Sequence, residues 1–385
     1  MSAQNRKISL NAPLTLTWQE KNKPQQADWQ SEAGNPPPKY TIIADDTSKA
    51  DEVYKLACEG TAVLYRGDFQ NAKQLLQAIT RRVDRKPIKA ATTMLEAFHQ
   101  HRARQIQRAN ITNKILIELH HGKCDLNRAP DVKDAVEGAL IVDQKREKLP
   151  TKLVLSLREL LGMIGAHEWR KKGVYIEALE ANIHAHYGVY SPVRGEYLDL
   201  INQAPLNNPQ VAWDIGTGTG VIAATLVQRG VKTVVATDTS PRALYCAQEN
   251  IANLNLKPNI SLQLVNLFPE GLADLIVCNP PWLPAKANAP IEHAIYDTNS
   301  QMLKGFLNGL RTHLSINGEA WLIMSDLAER IGLRAADDLT NWIAAAGLTV
   351  VDKLDVAPKH AKSADQSDPL YAARSKEITS LYRLK

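Results

Sequence analysis

Residues 211–220 read VAWDIGTGTG: a short strand-like apolar run that ends on an acid and passes into three glycines at alternate positions. That rhythm repeats downstream. Short apolar runs at TVVATD (233–238), SLQLV (261–265), ADLIVC (273–278), GEAWLIMSD (318–326), LTVVDKLDV (348–356) and EITSLYRL (377–384) alternate with helical patterns, one after Gly220 and another over 241–254. Alternation of this kind predicts an α/β fold with a seven-stranded, mostly parallel sheet covered on both faces. In such sheets ligands bind beyond the carboxyl ends of the strands. The stretch 214–220 therefore stands at a ligand crevice.

Gly216, Gly218 and Gly220 let the backbone turn tightly and approach a ligand closely. A glycine-rich turn by itself is equally a plain strand–helix connection. Asp238 adds context, because it closes the next strand 22 residues after Gly216, where a carboxylate can accept hydrogen bonds from both hydroxyls of a ribose. Its structural alternative is an N-cap for the helix opening at Pro241. A dinucleotide fingerprint needs a third glycine three residues after Gly218, and that position is Val221, so a nicotinamide dinucleotide fits poorly.

The form Asp214-x-Gly216-x-Gly218-x-Gly220 resembles the first motif of class I S-adenosylmethionine-dependent methyltransferases, and the resemblance spans about 188–385. It implies a Rossmann-like sheet and S-adenosylmethionine as cofactor. Carried over position by position, it gives Asp214 and the three glycines the methionine end, Asp238 with Thr239 the ribose, and Asn266 with Leu267 the adenine. Many family members have Asp where this chain has Asn266; an amide oxygen still accepts from an adenine amino group.

The run ADLIVCNPPWLPA (273–285) drives a buried strand into Asn279-Pro280-Pro281-Trp282. Two prolines end a strand abruptly, since neither donates to a ladder. As a bare tetrapeptide this is a turn. In this context it is similar to the [D/N]-P-P-[F/Y/W] motif of the methyltransferases that act on planar amino nitrogens. Such a nitrogen has a delocalised lone pair and attacks a methyl sulfonium poorly. Asn279, by its side-chain oxygen, and Pro280, by its main-chain carbonyl, would accept its two N–H bonds and hold it facing the methyl group, with Asn279 also against the cofactor. Pro281 and Trp282 would line the acceptor, the indole offering a face for a base or amide plane. Positioning and electrostatics then carry the rate without an ionised general base. Upstream, Gly188-Val-Tyr190-Ser-Pro192-Val-Arg194-Gly-Glu196 resembles the segment preceding the cofactor loop in release-factor glutamine methyltransferases, which places Arg194 beside the substrate; a structural Arg–Glu pair explains the same residues.

The preceding residues have another character. At 385 residues two domains are expected. Residues 1–40 carry Pro13, Pro24 and Pro36-Pro37-Pro38 and read as an extended or flexible segment. Residues 41–172 read as a mainly helical, substrate-recruiting domain. There 72–83 places Leu75, Leu76, Ile79 and Val83 on one face, and TNKILIELHHG (112–122) ends at a glycine suited to a C-cap. TAVLYRG (61–67) is a candidate strand, and 173–385 is the catalytic domain.

The net charge of +5 is uneven, with an excess of +9 over residues 1–175 and −4 over the rest. Residues 73–108 hold nine Lys+Arg against two acids, read either as a solvated helix face or as a patch for a polyanion. RNA or the ribosome is the leading partner, with a protein substrate as the alternative; a vestigial cofactor fold that only binds nucleic acid is disfavoured by the intact Asp214, Asp238 and Asn279. Four scattered cysteines, no CxxC pair and no apolar run of membrane-spanning length point to a cytoplasmic protein without a membrane partner. The close pairs His99/His101, His120/His121 and His184/His186 lack completing ligands, so no metal is expected. Tyr296-Asp297 lines the substrate crevice or starts the helix at Asn299.

Overall fold

The computed structural model describes residues 14–85, 87, 89–141, 148–359 and 363–385. Residues 1–13 of the expected flexible segment, and Lys86 of the basic run, lie outside them. The described residues of Met1–Pro87, Gln107–Glu137 and Lys148–Gly162 form one compact unit; those of Ile88–Ile106, Gly138–Glu147 and Met163–Lys385 form the other. The division therefore does not fall at a single point near 172.

The first unit is organised by a six-stranded mixed sheet. Its strands are β1 (Thr15–Glu20), β2 (Lys23–Trp29), β3 (Thr41–Ala44), β4 (Ala62–Tyr65), β5 (Ile115–His120) and β6 (Lys152–Ser156), in the order β1-β2-β6-β5-β4-β3. Helices α1 (Ala50–Cys58), α2 (Phe69–Asp84), α3 (Met94–Thr112), α4 (Lys133–Leu140) and α5 (Leu157–Lys172) supply more residues than the strands between 41 and 172, yet the sheet sets the architecture. Two sequence expectations change. Residues 15–29 are extended but paired, as a hairpin turning at Lys21 and Asn22, both with positive φ, which matches the twist of flanking strands. ILIELH is a strand rather than a helix. A continuous Ile/Leu run reads alike as a buried strand or a buried helix, and here five of its six residues are buried in mid-sheet. Gly122, at φ 79°, turns the chain after β5 instead of capping a helix.

The second unit opens with the hairpin β7 (Val174–Ile176) and β8 (Ala181–Ile183) and helix α6 (Glu196–Gln203). The main sheet then follows the predicted alternation: β9 (Val211–Ile215), α7 (Val221–Gln228), β10 (Thr233–Asp238), α8 (Pro241–Asn253), β11 (Ile260–Leu264), β12 (Ala273–Cys278), α9 (Gln301–His313), β13 (Leu314–Ser325), α10 (Leu327–Ile331), α11 (Asp338–Ala345), β14 (Val350–Val356), α12 (Tyr371–Arg374) and β15 (Thr379–Leu384). The order is β11-β10-β9-β12-β13-β15-β14, with β15 antiparallel to both its neighbours and the preceding pairs parallel. Side chains alternate between faces along each strand. Ala212, Val234, Leu275, Val277 and Trp321 pack with α6 and α7 on one side; Trp213, Ile215, Ile276, Cys278 and Leu322 pack with α9 and α11 on the other. The strand order reverses at β9, whose neighbours are β10 and β12, so the switch point opens between β9 and β12.

Candidate active site

The loop after β9 is held by its own backbone. The Gly216 and Thr217 amides donate to the Thr237 carbonyl at 2.9 and 2.8 Å, which ties the loop to the end of β10. Asp214 is fully buried beneath it; its Oδ2 accepts from the Thr217 hydroxyl at 2.6 Å and the Ala223 amide at 3.1 Å. Burial pushes its carboxyl up to about 7, with the two hydrogen bonds opposing. Its Oδ1 is buried without a hydrogen-bond partner among the described residues. Gly218, at φ 56°, has nothing of the described residues within 4 Å of where a Cβ would stand, so the loop presents bare backbone there.

Asp238, half-buried, accepts from the Gly218 amide at 3.1 Å through Oδ2 and from the Ser240 amide at 2.9 Å through Oδ1. Burial raises its pKa against these bonds. It does not cap α8: Ser240 does, its Oγ accepting from the Ala243 amide at 3.3 Å. Each carboxylate oxygen keeps a lone pair for a hydroxyl. Thr239 and Asn266 are exposed; Leu267 is half-buried at φ 65° and its carbonyl accepts from the Thr237 hydroxyl at 2.8 Å. An open glycine turn and a carboxylate with spare lone pairs fit the methionine and ribosyl parts of S-adenosylmethionine, while Asp214 beneath holds the loop in shape.

Strand β12 pairs in register with β9, Cys278 opposite Ile215, so Asn279 emerges at the switch point one residue beyond that pair. The Pro280 carbonyl accepts no hydrogen bond among the described residues. The Trp282 indole N–H donates to Asn279 Oδ1 at 2.9 Å. Trp282 is half-buried, packs against the apolar clusters on both faces of the sheet, and carries the Arg194 guanidinium 5.0 Å from its ring centroid. Arg194 in turn pairs with Glu196 at 3.3 Å and Glu377 at 3.0 Å. The sequence-level Arg–Glu pair is present, and Arg194 sits against Trp282.

Tyr296 and Asp297 divide the two roles offered for them differently. Both Asp297 oxygens accept amides of α9, from Met302 and Leu303 at 3.1 Å each, so this acid starts the helix. Tyr296 packs in an apolar cluster with Phe98 and Leu283, and Arg102 lies 3.9 Å from its ring centroid. Arg102 also donates to the Lys286 carbonyl at 2.6 Å and pairs with Glu292 at 3.5 Å, bracing the loop after Trp282. Sequence reasoning missed Arg102 and Glu377, which lack any local motif, and Met302, whose Cε is 3.0 Å from the Cβ position of Gly216. His184 and His186 are held by the Arg170 carbonyl and by Glu249. No described group of three or more His, Cys, Asp or Glu is arranged to hold a metal, and no described helix is long and apolar enough to cross a membrane.

The basic run 73–108 is divided between the two units, and several of its cations are paired. Arg82 pairs with Asp51, Arg108 with Asp84 and Arg102 with Glu292, and residues from 88 to 106 belong to the second unit.

Residues 180–330 match the methyltransferase small domain. Over 162 residues the chain is 32% identical to a putative protein N5-glutamine methyltransferase of Methanocaldococcus jannaschii, covering 40% of this chain and 80% of that protein. It is 44% identical over 102 residues to a release factor glutamine methyltransferase of Cereibacter sphaeroides, covering 26% of this chain and 36% of that one. It is 32% identical over 118 residues to a tRNA1(Val) (adenine(37)-N6)-methyltransferase of Pedobacter heparinus, covering 29% and 50%. With this likeness along most of a relative's length, the chain belongs to the S-adenosylmethionine-dependent methyltransferases of the small-domain family.

Proposed function

We propose that the enzyme methylates the side-chain amide nitrogen of a glutamine in a protein substrate. The observation that carries this reading is the pair of acceptors at the end of β12, Asn279 Oδ1 and the uncommitted Pro280 carbonyl, beside the glycine loop. An amide –NH₂ presents two N–H bonds in one plane, and two acceptors in that plane hold it and draw electron density onto the nitrogen. The bound cofactor supplies an electrophilic methyl group on a sulfonium. Asn279 and Pro280 then orient the attacking nitrogen, and the prolines keep the carbonyl fixed outward. A small acceptor is favoured over a base because Arg194 covers one face of Trp282 and apolar clusters hold the ring, leaving limited area for stacking. The relative of which this chain spans 80% is a glutamine methyltransferase by its description.

A second reading, an amino group on an RNA base, is supported by Lys73, Arg81 and Arg85 on or beside α2, which have no ion pair among the described residues, and by the likeness to a tRNA adenine-N6 methyltransferase. Incubation with radiolabelled cofactor and, separately, release factor, ribosomal protein and tRNA decides between them. Methylglutamine in hydrolysed protein is the expected product. Label recovered only in nucleosides overturns the glutamine reading and selects the base.

A further inference from the structure

The oxygen of Asn279 is aimed before any substrate arrives. An indole N–H only donates, so the Asn279 atom facing Trp282 at 2.9 Å is the oxygen, and the –NH₂ faces away. One oxygen lone pair is used and the second remains for the acceptor amine. A flipped amide would instead point two donors at the amine and repel it. The position of the Trp282 ring therefore decides whether Asn279 attracts its substrate.

The ring is held by a chain of contacts leading away from the cofactor. Arg194 lies over its face at 5.0 Å, a cation–π arrangement. That guanidinium is fixed by Glu196 at 3.3 Å and by Glu377 at 3.0 Å. Glu377 is fully buried just before β15, and its Oε1 accepts from the Ser325 hydroxyl at 2.6 Å, while Ser325 Oγ accepts the Leu327 amide at 3.0 Å. Glu196, buried at the start of α6, ties the guanidinium to that helix. Glu377 ties it to the sheet, because it is anchored through Ser325 to the end of β13.

We propose that Glu377, acting through Arg194 and Trp282, is a positioning residue that keeps the carbonyl face of Asn279 toward the acceptor nitrogen. This rests on reading Asn279 as the group that aligns that nitrogen.

The test uses full-length protein labelled with ¹⁵N-tryptophan, which has seven indole resonances. Trp282→Phe removes one and so assigns it. In Glu377→Gln the Trp282 indole should exchange with solvent about fivefold faster, the loss of roughly one hydrogen bond's protection, while the other six stay unchanged. Ser325→Ala, a milder cut in the same chain, should give a smaller rise in the same resonance and keeps the test open if Glu377→Gln does not fold. Unchanged Trp282 exchange in the folded variants overturns the proposal. On the substrate that takes the label, Glu377→Gln should lower kcat several-fold with S-adenosylhomocysteine affinity unchanged, and should add little in a Trp282→Phe background. Effects that multiply in the double variant overturn the relay. Should Asn279→Ala keep full transfer while Glu377→Gln still frees the indole, the assignment of Asn279 fails and the relay stands.

Discussion

Asp238 offers the sharpest separation of binding from folding. Removing its carboxylate in Asp238→Ala takes away the expected ribose acceptor, and it also strips the partners from the Gly218 and Ser240 amides. Leaving ribose hydroxyls unpaired costs about 1–3 kcal/mol, or roughly 5- to 150-fold in affinity. The two freed amides stand at a half-buried site where water replaces part of each bond, so about 1 kcal/mol apiece is a fair expectation for ligand-free stability. Calorimetry with S-adenosylhomocysteine reads the first quantity and urea unfolding of the ligand-free protein reads the second. Asp238→Asn is the diagnostic control: one carbonyl oxygen keeps one amide bond, but the –NH₂ is turned toward the other donor. It should therefore lose affinity nearly as far as alanine while losing less stability. If Asp238→Ala binds S-adenosylhomocysteine as the wild type does, the ribose assignment is wrong; tight NAD binding would refute the cofactor reading of the loop.

Asn279→Ala should abolish transfer and spare cofactor affinity, whereas Asn279→Asp, which still accepts from Trp282 and from an amine, should retain partial turnover; equal turnover by wild type and Asn279→Ala refutes the acceptor role. Trp282→Phe keeps the ring under Arg194 but drops the N–H donor, so kcat should fall about fivefold, and wild-type kcat would show that the indole bond does not aim Asn279. Asp214 has a folded pKa near 7 against an ordinary 3.8, so the native state holds its proton longer. Its contribution to stability is complete below about 4 and lost as pH rises through about 7, and Asp214→Asn should lack that slope when urea midpoints are followed from pH 4 to 8.

The catalytic sheet was legible because its signals are local. Short apolar runs, a glycine turn after an acid and a proline stop each lie within ten residues of sequence, and β9, β10 and β12 appear where those runs place them. β5 was not legible: like β9 and β12 it is apolar on both faces, so no period distinguishes strand from helix, but neither an acid-and-glycine turn nor a proline stop follows it directly, and its place between β4 and β6 decides. Charge counting likewise sees how many arginines a segment has but not where their guanidinium groups go; Arg82, Arg102 and Arg108 are each paired to a carboxylate elsewhere in the chain. Arg194 was singled out, but its stacking on Trp282 joins residues far apart in sequence and met only through the fold. Glu377 had no signal at all, being one acid ahead of a short strand.

The insertion of β15 between β13 and β14 sets an order of events in the ribosome-bound chain. Residues 211–278, which carry the glycine loop and β9 to β12, are complete about a hundred residues before β15 is made, and β14 must wait for β15, its only sheet neighbour among the described residues. Until then the edge of β13 is bare, an open template for other strands. Synthesis at about 5–20 residues per second leaves that edge unprotected for seconds, time in which a chaperone has something to hold. The β9–β12 part of the sheet is thus made early, and Glu377 with the strand behind it closes the sheet last.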